Sequence, residues 1–233
     1  MNSELLHKTV WISFIIQIIT NIISLYGFTI VLKPKDYILQ NINYIETVVQ
    51  FIEAIWYIYI AYSFYNIDTN NIASIRYFDW VITTPIMLIS TILYMEYENN
   101  KIKKNYDKVT IKNIYNKHKY TIFKIILFNF LMLLFGYLGE TNILSKYYSI
   151  FIGFIFFFLS FYTIWIHFAI YSNISSNLFI FLFITWILYG FTAMLSTIPK
   201  NISYNILDII AKNFYGLFIV YKIIEINKSY KNL

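Results

Sequence analysis

Residues 150–166 read IFIGFIFFFLSFYTIWI, and no face of that run carries a charge. Wound as a helix it is apolar all round, so it has no side to offer to water and must face lipid. Six further stretches have similar length and character. Together they give seven predicted spans, at about 10–32, 43–65, 75–95, 120–140, 146–171, 176–198 and 203–223. A soluble helical bundle needs a polar face on every outer helix. With 13% charged and 59% hydrophobic residues, the chain cannot supply those faces. Its mean hydropathy of +0.59 agrees. The breaks KPKDY, NIDTNN, GETN, SNISSN and PKNIS, with one longer lysine-rich segment, are too short for a second domain. The expectation is a single all-α domain over residues 1–233: an integral, multi-pass membrane protein built as a seven-transmembrane-helix bundle.

Lysines orient the bundle, because positive residues collect in cytoplasmic loops. Lys33, Lys35, Lys101, Lys103, Lys104, Lys108, Lys112, Lys117, Lys119, Lys124, Lys222, Lys228 and Lys231 fall on one side, against Lys8, Lys146 and Lys200 on the other. That asymmetry predicts the N-terminus outside and the C-terminus in the cytoplasm. The net charge of +6 then marks topology and contact with anionic lipid; no nucleic-acid-binding motif accompanies it. The chain has no cysteine, which excludes a disulfide framework, a thiolate metal site and a cysteine nucleophile. His7, His118 and His167 are scattered, no metal site is expected, and no hydrolase triad or phosphate loop is present, so the chain does not read as an enzyme. The start, MNSELLHKTVWISF, lacks a basic n-region and a small-residue cleavage site, so the first apolar run is expected to be a retained helix.

Two cations remain inside predicted spans, Arg76 and Lys212, and Arg76 is the only arginine. Arginine keeps its charge where lysine can lose it, so a fixed planar cation is wanted at that place. On the last span Asn201, Asn205, Asp208 and Lys212 follow the i, i+4, i+7, i+11 spacing of one helical face. A buried lysine can add to a carbonyl to form a Schiff base; the plainer alternative is an ion pair that locks two helices. On the third span Arg76, Asp79, Thr83, Met87 and Ser90 share a face, followed by Thr84 and Pro85. Two cations and two carboxylates in one membrane interior sum to zero, which is how such a cluster survives burial.

The stretch RYFDWVITTP together with LDIIAK resembles the microbial (type 1) rhodopsins, whose third helix reads R-Y-x-D-W-x-x-T-T-P and whose seventh carries D-x-x-x-K. The resemblance covers all seven spans in order. It implies that Lys212 binds all-trans retinal as a protonated Schiff base. In the same terms Asp79 is the primary counterion and proton acceptor, Asp208 the second counterion, and Arg76 the supporting charge. Trp80, Thr83, Thr84, Met87, Met132, Gly136, Trp186 and Tyr189 match retinal-pocket positions, and an apolar residue such as Met87 goes with green absorption. The chain departs from the family at Gly190, usually proline, at Ala193, often tryptophan, and at Gly153 and Phe156, often tryptophan and serine. The ring end of the pocket is therefore expected to differ in shape.

The helix-three triplet that sorts the family reads Asp79, Thr83, Ser90. Serine stands where efficient outward pumps carry a carboxylate that returns the proton. Span one carries Ser13, Gln17, Asn21 and Ser24, and span two carries Glu46, Gln50, Glu53 and Tyr57, each in helical rhythm. A mid-membrane carboxylate such as Glu53 is a functional candidate, and rings of carboxylates select cations; the plainer reading has these groups bonding neighbouring helices. An acidic second helix is also what separates channelrhodopsins from pumps. The triplet, the acidic helix and an AT-rich residue bias resemble the rhodopsins of large algal viruses. The favoured expectation is a light-gated cation channel with Ser13, Glu53 and Asn205 as its gate and Glu46 on the path. A light-driven outward proton pump and a photosensor coupled to a partner stay open. The expected partners are retinal, the lipid membrane, protons or small cations and a possible homo-oligomer.

Overall fold

The computed structural model describes residues 3–104 and 109–231, which leaves Lys108 outside the described residues. Its helices are α1 (Ser3–Phe28), α2 (Tyr37–Ser63), α3 (Ile72–Ile102), α4 (Ile111–Glu140), α5 (Lys146–Ile164), α6 (Asn173–Thr192), α7 (Thr197–Asp208) and α8 (Phe214–Lys231). A π turn, Ile209–Asn213, joins α7 to α8, so these form one seventh rod with Lys212 at its bulge. A second π turn, Trp165–Ala169, extends α5. No strand occurs among the described residues. The architecture is the expected seven-helix bundle.

The bundle is inside-out relative to a soluble one. On α1 the buried positions include Ser13, Gln17, Thr20 and Ser24, while Ile15, Ile19 and Ile22 point outward. Gln17 is 0% exposed and Ile22 62%, the reverse of what water would select. Five helices among the described residues are long and apolar enough to cross a membrane. The second rod falls short of that measure because Glu46, Gln50 and Glu53 interrupt its apolar run, and the seventh because Asn205, Asp208, Lys212 and Asn213 interrupt its own. Both rods turn those polar groups into the bundle, where all of them are buried.

Span boundaries shift at two places. The sixth helix stops at Thr192, and a new one starts at Thr197 with Pro199 in its first turn, where a missing N–H costs no helical bond. The lysine-rich segment is mostly helix: α3 continues to Ile102 and α4 begins at Ile111, capped by Thr110 Oγ1 accepting from the Asn113 N–H. Between α4 and α5, Asn142 takes a φ of 58°, a left-handed conformation that asparagine tolerates.

Packing across the bundle fixes the third helix. Thr84 Oγ1, on the residue just before Pro85, donates to Trp80 O at 2.8 Å and accepts from Asn129 Nδ2 on α4 at 2.8 Å. At the end of the bundle that holds the C-terminus, buried Asp36 accepts from Tyr97 on α3 at 2.6 Å and from Tyr230 on α8. That carboxylate ties the first loop to the third and seventh rods.

Candidate functional site

The π turn sets the height of Lys212, and its buried Nζ meets Asp79 Oδ2 at 2.6 Å, Glu53 Oε1 at 3.5 Å and Asp208 Oδ1 at 3.9 Å. Asp79 on α3 is therefore its hydrogen-bonded partner, while Asp208, one turn away on its own rod, is farther. The other cation takes Asp208: Arg76 Nη1 donates to its Oδ2 at 3.1 Å. The four charges named from the sequence come together as two crossed pairs between α3 and the seventh rod.

The two aspartates differ in how fully they are engaged. Asp208 Oδ2 accepts from Tyr57 at 2.7 Å and from Arg76, and its Oδ1 accepts from Tyr189 at 2.7 Å and Trp80 Nε1 at 3.3 Å. Those donors occupy the lone pairs a carboxylate has to offer. Asp79 uses one oxygen on Lys212, and its buried Oδ1 has no hydrogen-bond partner. Asp208 is built into a network, and Asp79 keeps an oxygen open to accept a proton. Tyr57 also accepts from Arg76 Nη1 at 2.9 Å, so one hydroxyl links α2 to the arginine and the aspartate.

Beyond Lys212 lies a cavity lined by Tyr77, Trp80, Thr84 and Met87 of α3, Met132, Leu133 and Gly136 of α4, Ser149, Ile150, Gly153, Phe154 and Phe157 of α5, Trp186, Tyr189 and Gly190 of α6, and Ala193, Tyr204 and Ala211. Every pocket residue named from the sequence is on this wall except Thr83, whose hydroxyl instead donates to Asp79 O at 3.0 Å. The departures also bear on it. Gly153, Gly190 and Ala193 line the cavity, and the ring of Phe154 fills the space beside Gly190 so closely that a β-carbon there would overlap it. Phe156 is not on the wall; it stacks on Phe128 and Phe135. A β-carbon at Gly136 would likewise collide with the Tyr77 hydroxyl. An almost wholly apolar slot ending in a buried amine fits a long conjugated hydrocarbon bearing one aldehyde, which is the shape and chemistry of retinal.

The expected gate does not assemble as a single cluster. Ser13 Oγ donates to the backbone carbonyl of Asn205 at 3.3 Å, joining α1 to α7. The Asn205 side chain accepts from Arg76 Nη2 and donates to Thr9 Oγ1 at 2.7 Å. Glu53 touches neither; it faces Lys212, and its buried oxygens have no hydrogen-bond partner. Arg76 holds the Asn205 amide, and α2 meets the seventh rod at Asp208 through Tyr57 and at Lys212 through Glu53. Glu46, a further two turns along α2, hydrogen-bonds Ser90 of α3. The position without an acid on α3 thus has one beside it from α2. Nothing along the chain signals this meeting. Tyr57 stood in the right helical rhythm, but only the α2–α3 packing shows its partners. Phe154, Phe157, Tyr77 and Tyr204 are ordinary aromatics in sequence and become cavity walls in space.

The family profile described as "Bacteriorhodopsin-like protein" matches residues 8–226. Among solved structures, viral rhodopsin OLPVRII is 25% identical, with 95% of this chain and 99% of that one covered at a TM-score of 0.83. The proton pumping rhodopsin from the marine alga Acetabularia acetabulum is 21% identical, with 94% and 95% covered and a TM-score of 0.71. The blue light-absorbing proteorhodopsin from Med12 is 18% identical, with 95% and 98% covered and a TM-score of 0.72. A comparison with curated proteins finds no match.

Proposed function

The chain belongs to the bacteriorhodopsin-like family, the retinal-binding membrane proteins of light-driven ion transport, and from that premise we propose that it is a light-gated cation channel. The observation that carries the channel reading is Glu53: a fully buried carboxylate 3.5 Å from Lys212 Nζ, with no hydrogen bond to satisfy it. A carboxylate in a membrane interior is costly and persists where it serves an ion pathway. Glu46, Gln50 and Glu53 continue as one acidic, amide-bearing face of α2 toward the end of the bundle that holds the C-terminus. The lysine distribution makes that end cytoplasmic.

When bound at Lys212, all-trans retinal supplies absorption of visible light and an isomerisation that changes the geometry at the Lys212 nitrogen. Asp79 Oδ2, at 2.6 Å, is the carboxylate positioned to take a proton from that nitrogen. Asp208 stays in its network of tyrosines, Trp80 and Arg76, so the base of the site keeps its shape as Asp79 changes charge. Glu53 then offers the next acceptor on the path, and Ser13 with Asn205 closes the α1–α7 seam on the opposite side.

A second reading, the light-driven outward proton pump, rests on a specific contact. The Ser90 hydroxyl is hydrogen-bonded to Glu46, which brings a carboxylate to the place from which a pump returns its proton. Light-evoked current under voltage clamp separates the two. A current that reverses with the cation gradient supports the channel, and one that stays outward against the gradient supports the pump. Glu53→Gln should reduce the channel current and alter its selectivity; an unchanged current and selectivity would remove Glu53 from the path.

A further inference from the structure

Gln50 sits midway along the acidic face of α2, fully buried. Ser24 Oγ of α1 donates to its Oε1 at 3.3 Å. Its Nε2 has no hydrogen-bond partner, although it is a buried donor and leaving one unmet carries a desolvation cost. That nitrogen lies so near the backbone of α8 that a β-carbon at Gly216 would overlap it. Glycine inside a helix costs ~1 kcal/mol relative to alanine, and it is normally retained for a backbone angle or for close approach. No glycine among the described residues has a positive φ, so Gly216 is not there for its backbone conformation. What its missing side chain provides is a seat for the Gln50 amide.

The seat is well placed. By helical rise, Gln50 stands ~6 Å from the level of Glu46 and ~4.5 Å from that of Glu53 on α2, and Gly216 stands ~6 Å beyond Lys212. The amide therefore lies across the gap between the two carboxylates. It also has somewhere else to go. Glu46 Oε2 is buried without a partner, one turn away at the i, i+4 spacing that lets side chains on one helix meet. Seated, the amide leaves its N–H groups unpaired; swung toward Glu46, it gains an acceptor and vacates the gap. Two discrete arrangements of one side chain are the kind of element that a small shift of α8 can tip.

We propose that the Gln50 amide is the stopper of the ion path on the Glu46 side of Lys212, closed when seated against Gly216 and open when swung onto Glu46. The proposal rests on the transport reading above and has its own test. Hydroxylamine, a small polar nucleophile, bleaches the retinal-loaded protein in the dark at a rate set by its access to the Lys212 link. Gln50→Ala and Gly216→Ala should each bleach about tenfold faster than the parent, equivalent to ~1.4 kcal/mol off the access barrier. The double variant should be no faster than either alone, because both act by unseating one amide. An unchanged rate in Gln50→Ala overturns the stopper, and a rate in the double variant that multiplies the two effects overturns the seat. Should Gly216→Ala fail to form pigment, Gln50→Ala still decides. Light current in the parent with unchanged bleaching in Gln50→Ala removes the stopper alone. Faster bleaching with no light current in the parent leaves the stopper and removes the transport reading.

Discussion

Asp208→Asn should destabilise the bundle more than its near-identical shape suggests. The carboxylate accepts from Tyr57, Arg76, Tyr189 and Trp80, two donors to each oxygen. An asparagine offers one acceptor oxygen with two lone pairs and one amide nitrogen that only donates. Whichever way the amide is turned, two of those donors face another donor. If it keeps its oxygen toward Arg76 and Tyr57, it abandons Tyr189 and Trp80; turned over, it abandons the arginine. Hydrogen bonds to charged groups contribute about 1.5–3 kcal/mol each, and removing one partner of a buried ion pair costs about 3–5 kcal/mol. These figures describe overlapping interactions, so the expected loss is about 3–5 kcal/mol and not their sum. Denaturant titration of the purified protein, followed by helical circular dichroism, measures it. Tyr57→Phe removes a single hydroxyl from the same network and should cost about 1–3 kcal/mol. The double variant should then lose less than the two singles added, since both break the Tyr57–Asp208 contact. A loss below about 1 kcal/mol for Asp208→Asn, or strict additivity with Tyr57→Phe, refutes the idea that this carboxylate is the hub of the site.

Lys212→Ala should keep its helical content yet develop no visible absorbance when retinal is added, because no other amine among the described residues lines the cavity; a coloured variant would refute the assignment of Lys212. Tyr230→Phe removes one of the two tyrosine donors to buried Asp36 and should cost about 1–3 kcal/mol in the same unfolding assay. Equal stability of that variant and the parent would show that Asp36 does not hold the ends of the rods together.

The all-helical architecture and the charged pairs were legible because each rests on local pattern. An apolar run of sufficient length reads as a span, and i, i+4, i+7 spacing assigns one face whatever the rest of the chain does. Arg76, Asp79, Asp208 and Lys212 sit on such faces, and the geometry joins them. What spacing on one helix cannot specify is the height of one helix against another. Glu46 and Ser90 lie 44 positions apart; their meeting depends on the register between α2 and α3, which no single segment encodes. Within the site the order of the two carboxylates agrees with the resemblance: Asp79 is the nearer partner of Lys212 and Asp208, one turn away along its own rod, the farther. Of the three residues expected at the gate, Ser13 and Asn205 meet while Glu53 faces Lys212, and the accompanying Arg76–Asn205 contact is invisible along the chain.

The site divides into a fixed half and a loose half, and the division follows hydrogen-bond supply. Around Asp208 every lone pair has a donor, and around Arg76 the acceptors Asp208, Tyr57 and Asn205 converge. Such a network resists displacement because each member is held by several others. On the α2 side the balance is reversed. Asp79 Oδ1, both Glu53 oxygens, Gln50 Nε2 and Glu46 Oε2 are buried without protein hydrogen-bond partners. Unpaired buried polar atoms weaken a protein that only needs to be stable, and four of them, on Glu46, Gln50 and Glu53, form an arrangement along one face of α2. It is what a conduit requires: a rigid base that keeps its charges in place, and beside it a row of acceptors and one amide with vacancies for a moving proton or cation. On the proposed path the direction of net flow depends on which end of that row opens first, at Glu46 or at Glu53, and Gln50 stands between them.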